Sequence, residues 1–166
     1  MMAWATMLGI NLPQRGAQMR IRDVLSLKGG TIYSIEPRMR LTAAVDLMVE
    51  RDVGSLVVME AGRMVGLLTF REVLMALKVA DGSLGTLEAQ EAMVTDPICG
   101  SPGETIDELR ELMTRHHVRY VPVMQGEELL GIVSFHDIAK AVIKETSMEN
   151  RLLRRYIESQ PGERPS

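Results

Sequence analysis

The sequence contains a single cysteine, Cys99, among 166 residues. One thiol excludes an intrachain disulfide, and without a second cysteine there is neither a CxxC motif nor a zinc-ligand spacing. Cys99 is therefore expected to be a small buried apolar residue beside a strand. No resident metal or required cofactor is predicted.

Long apolar runs and an excess of basic residues are also missing. No stretch approaches the roughly 18 apolar residues that a membrane span requires. Met1–Leu12 is apolar but lacks the basic leader and cleavage site of a secretory signal. The net charge of −3 argues against a broad cationic surface for nucleic acid. We therefore expect a cytoplasmic protein whose partners include neither membranes nor nucleic acid.

An internal repeat is present, and it spans most of the chain. Val53 recurs as Val118 and Phe70 as Phe135, a constant offset of 65 positions that also relates Leu47-Met48 to Leu112-Met113 and Pro37 to Pro102. Two copies are too few for a solenoid. They are typical of one domain with pseudo-twofold symmetry, in which each half covers the apolar face of the other.

Hydrophobic periodicity predicts the order strand, helix, strand, strand, helix in each repeat. The strands are too apolar to have a wet face, so the predicted fold is an α/β sandwich. Helix Phe70–Val79 is expected to turn Val73, Leu74 and Leu77 inward. The other predicted elements are Thr31–Ile35, a helix from Leu41 to Met48, Ser55–Met59, Met64–Thr69, a helix from Ile106 to Met113, Val121–Met124, Leu129–Ser134 and the helix Phe135–Ile143.

The predicted organisation has five parts. Residues 1–20 form an amino-terminal tail, 21–80 the first repeat, 81–91 a linker, 92–145 the second repeat, and 146–166 a helix followed by a disordered end. The tail is a frayed end, a docking segment or the product of an upstream start codon. Met148, Leu152 and Tyr156 lie at helical spacing, and this stripe is expected to pack on the domain or on a second subunit.

These motifs, in this order and twice over, resemble a tandem pair of CBS domains (the cystathionine β-synthase type), known as a Bateman module. The resemblance rests on Leu-Met near a helix end, then Leu-Val-Val (56–58) or Val-Pro-Val (121–123), and Gly-Leu-Leu-Thr-x-x-Glu (66–72). It is strongest with small stand-alone bacterial members. It implies two repeats forming a pseudo-twofold sandwich, with an adenosine ligand such as AMP, ATP or NAD bound between the halves and not chemically changed.

The second repeat carries the more complete motif for such a ligand. Ser134, His136 and Asp137 lie where a strand meets a helix, and free N–H groups at a helix start favour anions. Ser134 and His136 are candidate hydrogen-bond donors to a phosphate group, and Asp137 can accept both hydrogens of a ribose diol. The resemblance adds a pocket wall, Ile98, Val118, Arg119 and Tyr120, with Arg119 as the phosphate clamp. Alternatively, Ser134 and Asp137 form only a helix cap.

The first repeat departs from this pattern. Thr69, Arg71 and Glu72 occupy the motif, with glutamate where the family usually has aspartate. Gly54 replaces Arg119 at the equivalent position and would allow a close backbone approach. Position alone adds Thr31 and Tyr33 to this site. We expect it to be weaker than the second site, and a capping role for Glu72 is an equal alternative.

Two functions remain open from sequence. One is a regulatory, non-catalytic module that senses an adenine-containing small molecule and acts on an effector protein of unknown identity, with the chain as a homodimer. The alternative is a dimeric protein-interaction module with vestigial clefts. An enzyme is disfavoured, because Ser134, His136 and Asp137 lie within four positions and cannot converge from separate elements as a triad does.

Overall fold

The computed structural model describes residues 18–159, except for the side chains of residues 145, 148, 149 and 152–159. Most of the predicted tail 1–20, the end 160–166 and the side chains of the stripe Met148, Leu152 and Tyr156 thus lie outside the described residues. In chain order the elements are α1 (Ile21–Lys28), β1 (Ser34–Ile35), α2 (Leu41–Arg51), β2 (Ser55–Glu60), β3 (Arg63–Thr69), α3 (Phe70–Val79), α4 (Ala89–Ala92), α5 (Ile106–His116), β4 (Tyr120–Gln125), β5 (Glu128–Ser134) and α6 (Phe135–Ser159).

The 65-residue offset is visible in the backbone of both halves. Strands β2 and β3 form an antiparallel hairpin, and so do β4 and β5. The pairing register shifts between Val58 and Met59 in the first hairpin and between the equivalent Val123 and Met124 in the second. Asp52 and His117, which end α2 and α5, both adopt left-handed conformations. The parallel pairing of Ile35 with Val58 recurs as a bridge between Gly100 and Val123. The predicted α/β fold with two equivalent halves is confirmed.

The hairpin turns follow from their residues. Between β2 and β3, Ala61 and Gly62 have φ of 48° and 79°. Two successive positive φ values are the geometry of a type I′ turn, whose twist matches that of the flanking strands. The turn predicted over Glu60 to Arg63 is confirmed.

The core of each half includes a short helix from outside the repeat's own hairpin, α1 in the second half and α4 in the first. Ile21 and Val24 of α1 are 0% and 3% exposed, and they pack with Ile106, Leu109 and Val121 of the second half. Met19 and Glu104 accept backbone hydrogen bonds that tie this segment to the start of α5.

The linker plays the corresponding part in the first half. Ala89 of α4 is fully buried among Leu41, Ala44 and Leu68. Val94 exchanges two backbone hydrogen bonds with Leu67 of β3, both of 2.9 Å. The two cores are therefore interleaved along the chain, with residues 19–28 in the second-half core and residues 33–93 in the first.

Four predictions about elements were wrong. Helix α1 was not predicted. Strand β1 is two residues long rather than five, because it pairs with β2 only at Ser34 and Ile35. Leu74 is 64% exposed rather than inward, whereas Val73 is buried. Helix α6 does not end at Ile143 but continues to Ser159, and no glycine or proline interrupts this stretch.

The described part of the chain contains no candidate for a membrane-spanning helix. No helix there is both long enough and apolar enough to cross a bilayer.

Gly66 offers a test of the interleaved core. A Cβ at this position would lie 2.5 Å from the Met93 sulfur and 3.0 Å from the Val94 carbonyl oxygen, so Gly66→Ala must push the segment after α4 away from β3. We expect this variant to lower the free energy of unfolding by about 1–3 kcal/mol, measured by urea denaturation.

Gly103→Ala is the matched control. Its Cβ would meet no atom within 4 Å, so its effect should stay within about 0.5 kcal/mol. Equal unfolding midpoints for the two variants would contradict a tight contact between β3 and the segment after α4.

Candidate functional site

The second strand–helix junction is a capping box. The Ser134 hydroxyl accepts a hydrogen bond from the Asp137 N–H at 3.2 Å. Asp137 Oδ2 in turn accepts from the Ser134 N–H at 2.8 Å and from the Ser134 hydroxyl at 2.7 Å. This reciprocal pair is the capping alternative that the sequence left open, while His136 is exposed on the same turn. Binding of phosphate or ribose by these three residues stays a prediction.

Asp137 has a further partner that the sequence did not indicate. Lys28 Nζ, at the end of α1, lies 2.8 Å from Asp137 Oδ2 and also donates to the Ile132 carbonyl oxygen at 3.0 Å. Burial alone would raise the pKa of Asp137, but the hydrogen bonds from Lys28 and Ser134 outweigh it and hold that pKa below its usual range. The carboxylate is therefore kept ionised, and its Oδ2 atom already accepts hydrogen bonds from Lys28 and Ser134.

The first junction is arranged differently. Thr69 caps α3 by accepting from the Arg71 N–H at 3.2 Å, and its hydroxyl donates to the Glu72 carboxylate. Arg71 also contacts the other Glu72 oxygen at 3.3 Å. Glu72 is 9% exposed, whereas the Arg71 side chain is 75% exposed. A buried carboxylate is thus held here by its own helix turn, with a mobile cation as its only described ionic partner.

A cavity of about 800 Å³ opens beside this first junction, and its walls come from both repeats. The first repeat supplies the start of α3, and the second supplies the turn between α5 and β4 together with the chain before Cys99. The lining residues are Leu67, Thr69, Phe70, Arg71, Glu72, Leu74, Met75, Lys78, Val94, Asp96, Pro97, Ile98, His117, Val118, Arg119 and Tyr120. We refer to this cavity as the central cleft.

The central cleft corrects the predicted grouping of site residues. Sequence reasoning placed Ile98, Val118, Arg119 and Tyr120 with Ser134, His136 and Asp137, because all belong to the second repeat. In the structure those four residues face the first-repeat set Thr69, Arg71 and Glu72. The grouping by repeat was wrong, since the segment that lines each junction comes from the other repeat.

The remaining first-repeat candidates lie elsewhere. Thr31 is exposed, and Tyr33 packs on the first-half core with the Arg51 guanidinium 5.9 Å above its ring. Gly54 does permit a close approach, as predicted, but the group that approaches is a side chain of this protein. A Cβ on Gly54 would overlap the Tyr120 ring, so Gly54 is where the two halves meet most tightly.

The charged side chains of the central cleft suit a ligand that carries both an anionic group and hydroxyl groups. Arg71, Lys78 and Arg119 are exposed cations, against the carboxylates of Glu72 and Asp96. Arginine forks match phosphate oxygens, and a buried carboxylate accepts hydrogen bonds from neighbouring hydroxyls. Apolar walls from Val94, Phe70 and Met75 could receive a planar base.

Several lining residues were missed from sequence. Phe70, Leu74 and Lys78 recur every four residues along α3, and this spacing places them on one face of the helix. Leu74, however, was expected to turn inward. His117 also lines the cleft. Its left-handed conformation at the end of α5 places it on the cleft wall.

Comparison with known proteins assigns the family. The sequence profile of the CBS domain matches residues 21–79 and 89–144. The chain belongs to the CBS domain family. Its two matched stretches make it a CBS pair, a module whose members are generally regulatory and not catalytic. The resemblance predicted from the repeat is thereby confirmed.

Relatives and solved structures agree on the fold of this CBS pair. The CBS domain-containing protein YhcV of Bacillus subtilis is 29% identical over 120 residues, which cover 72% of this chain and 82% of YhcV. A CBS-domain containing protein from Agrobacterium tumefaciens has a TM-score of 0.72 at 28% identity, covering 79% of this chain and 98% of its own. The CBS domain pair of protein MJ0100, solved in complex with 5′-methylthioadenosine and S-adenosyl-L-methionine, has a TM-score of 0.68 at 18% identity, covering 78% and 99%.

The ion pair between Lys28 and Asp137 predicts a pH dependence of stability in this CBS pair. Because the folded pKa of Asp137 lies below the unfolded value, its carboxylate stabilises the fold above the unfolded pKa, near 4. That stabilisation is lost as the pH falls through the folded pKa. Asp137→Asn keeps an acceptor for the cap but removes the charge. At about pH 6.5 it should lower the free energy of unfolding by about 1 kcal/mol, a modest value because Lys28 is 36% exposed.

The difference between wild type and Asp137→Asn should be smaller at about pH 2.5 than at about pH 6.5, because a larger fraction of the wild-type carboxyl is protonated at the lower pH. Thermal melts at the two pH values measure it. A difference that is the same at both would contradict a stabilising role for the ionised carboxylate.

Proposed function

We propose that this CBS pair is a regulatory module that binds an adenine nucleotide in the central cleft and passes its occupancy to an effector protein in the cytoplasm. The observation that carries the proposal is the composition of the cleft. A buried carboxylate from one repeat, Glu72, lines the same cavity as Arg119 and an apolar wall from the other, and the exposed cations Arg71 and Lys78 of its own helix lie beside it. The cleft's volume of about 800 Å³ lies within the range of small-molecule sites.

Each part of the nucleotide has a matching wall. Glu72 accepts from the ribose hydroxyls, since its carboxylate is held in place by Thr69. Arg119 and Arg71 flank the phosphate, and Ile98, Val118 and Tyr120 surround the base. The ligands in the MJ0100 complex both contain adenosine, which supports an adenosine ligand here. The cations favour AMP, ATP or NAD over a ligand without phosphate.

The triad residue types of the second repeat are not arranged as a triad. Ser134 and Asp137 are hydrogen-bonded to one another within one helix turn, and His136 is exposed beside them. These contacts favour a capping role for Ser134 and Asp137 over nucleophilic catalysis.

Arg119→Ala tests the nucleotide site. Loss of a charge-assisted hydrogen bond to phosphate should weaken AMP binding about tenfold, which corresponds to about 1.4 kcal/mol. Calorimetry with AMP gives the affinity. Arg115→Ala is the matched control, because Arg115 is an exposed arginine on α5 outside the cleft lining.

Wild-type affinity in Arg119→Ala would remove Arg119 from the phosphate role. A wild type that shows no thermal stabilisation by AMP, ATP or NAD at high concentration would sink the nucleotide proposal as a whole. A ligand at a hundred times its dissociation constant should add about 2.7 kcal/mol of stability, which a melting curve resolves easily.

Exposed apolar side chains on α3 and α6 favour a second role, in assembly. Helix α3 exposes Met75 and Val79 by 55% and 84%, and α6 exposes Val142 and Ile143 by 39% and 67%. Val73 and Ala141, on the same two helices, are buried in the cores. We propose that a second copy covers the exposed set in a homodimer, the commonest closed assembly. This surface also supports the alternative of an interaction module.

Val79→Glu combined with Ile143→Glu should weaken this dimer, because charges in an apolar interface lose hydration without gaining a partner. Light scattering should give twice the 18.5 kDa of one chain for the wild type and a lower mass for the double variant. Val49→Glu, on the exposed face of α2, is the control and should leave the mass unchanged. A wild type that stays at the mass of one chain at high concentration overturns the dimer.

A further inference from the structure

The two halves differ at one position beside the ligand motifs. The 65-residue offset relates Lys28 to Met93. Met93 lies against Gly66 and packs on the first-half core. Lys28, by contrast, is a charged residue at the last turn of α1, and its ammonium group reaches the second-repeat junction.

Alongside this difference, the residues after α4 contact β3 in one way, and the end of α1 contacts β5 in another. In the first half, the Leu67 N–H and carbonyl both pair with Val94, and the chain that follows, from Asp96 to Ile98, lines the central cleft. Leu67 corresponds to Ile132 in the second half. The Ile132 carbonyl accepts instead from Lys28 Nζ at 3.0 Å, and no bridge joins Ile132 to Gly29, the equivalent of Val94, among the described residues.

The two acids differ in where their cationic partner comes from. Asp137 Oδ2 accepts three hydrogen bonds, two from Ser134 and one from Lys28 of α1. Glu72 accepts from Thr69 through one oxygen and from Arg71 through the other, and both partners belong to its own helix turn. A ribose diol at Glu72 would compete only with these neighbours, of which the Arg71 side chain is exposed, whereas at Asp137 it would have to compete with an ammonium group that α1 holds at 2.8 Å.

We propose that Lys28 blocks the second-repeat motif, so that this chain binds one nucleotide, in the central cleft, and exposes a second site only when Lys28 withdraws from Asp137. The proposal rests on the nucleotide-binding role proposed above, which it extends to the second motif. It reverses the sequence-based expectation that the second site is the better one. A groove of about 320 Å³ between α1 and α6 borders this ion pair, and its lining includes Lys28, Asp137, Lys140 and Lys144.

Lys28→Met tests the proposal by installing the residue that the first half carries at the equivalent position. Calorimetry with AMP as the probe should give one AMP per wild-type chain and two per Lys28→Met chain. Lys140→Met is the matched control. Lys140 lines the same groove, but it is not among the described contacts of Asp137, so the stoichiometry should stay at one. Thermal melts establish that each variant is folded at the temperature of the titration.

The outcomes separate this proposal from the role of the central cleft. One AMP per chain in both wild type and Lys28→Met overturns the block while leaving the central cleft intact. Two AMP molecules per wild-type chain also overturn it. No AMP in the wild type but one in Lys28→Met supports the block and removes the central cleft as the AMP site. No binding in either protein refutes both, because a freed Asp137 would then hold no ribose.

Discussion

The interleaving of the two repeats is the constraint on which the rest of this structure depends. Helix α1 buries Ile21 in the core of the second half, and α4 buries Ala89 in the core of the first. The first-half core is drawn from residues 33–93, and the second-half core from residues 19–28 and 106–141. The chain therefore passes between the two halves twice, after α1 and after α4, and apolar burial of these two helices holds both crossings in place.

The location of the central cleft follows from this arrangement. Since the chain after α4 first pairs with β3 and then enters the second half, it carries Asp96 and Ile98 past the start of α3. The same geometry places Tyr120 over Gly54 at the contact between halves. A ligand in the cleft touches both repeats at once, so its binding free energy can change their relative position. Differential binding to two arrangements is what a regulatory module requires.

Local signals predicted much of this fold. The hairpin turn at Ala61 and Gly62, the caps at Thr69 and Ser134, and the repeated helix ends all depend on residues within a few positions of one another. The constant register then transferred each feature from one half to the other. Long-range partners could not be obtained this way. Helix α1 was missed because its stability comes from Ile106 and Leu109, some 85 positions later, and not from its own short sequence.

The same limit explains the misassigned site. Sequence order groups the motif residues by repeat, whereas packing groups Glu72 with Arg119. Nothing local to Asp137 reveals that Lys28, 109 positions earlier, pairs with it. Leu74 was expected to turn inward with Val73, but a helix rotates about 100° per residue, and Leu74 lies on an exposed face of α3.

Amide hydrogen exchange with and without AMP tests the central claim most directly, because it reports both sides of the cleft in one measurement. The account predicts joint protection of residues 69–72 and 117–120, which come from different repeats, and no AMP-dependent change at residues 134–137. Protection confined to 134–137, or to one side of the central cleft alone, would contradict a nucleotide site built from both repeats.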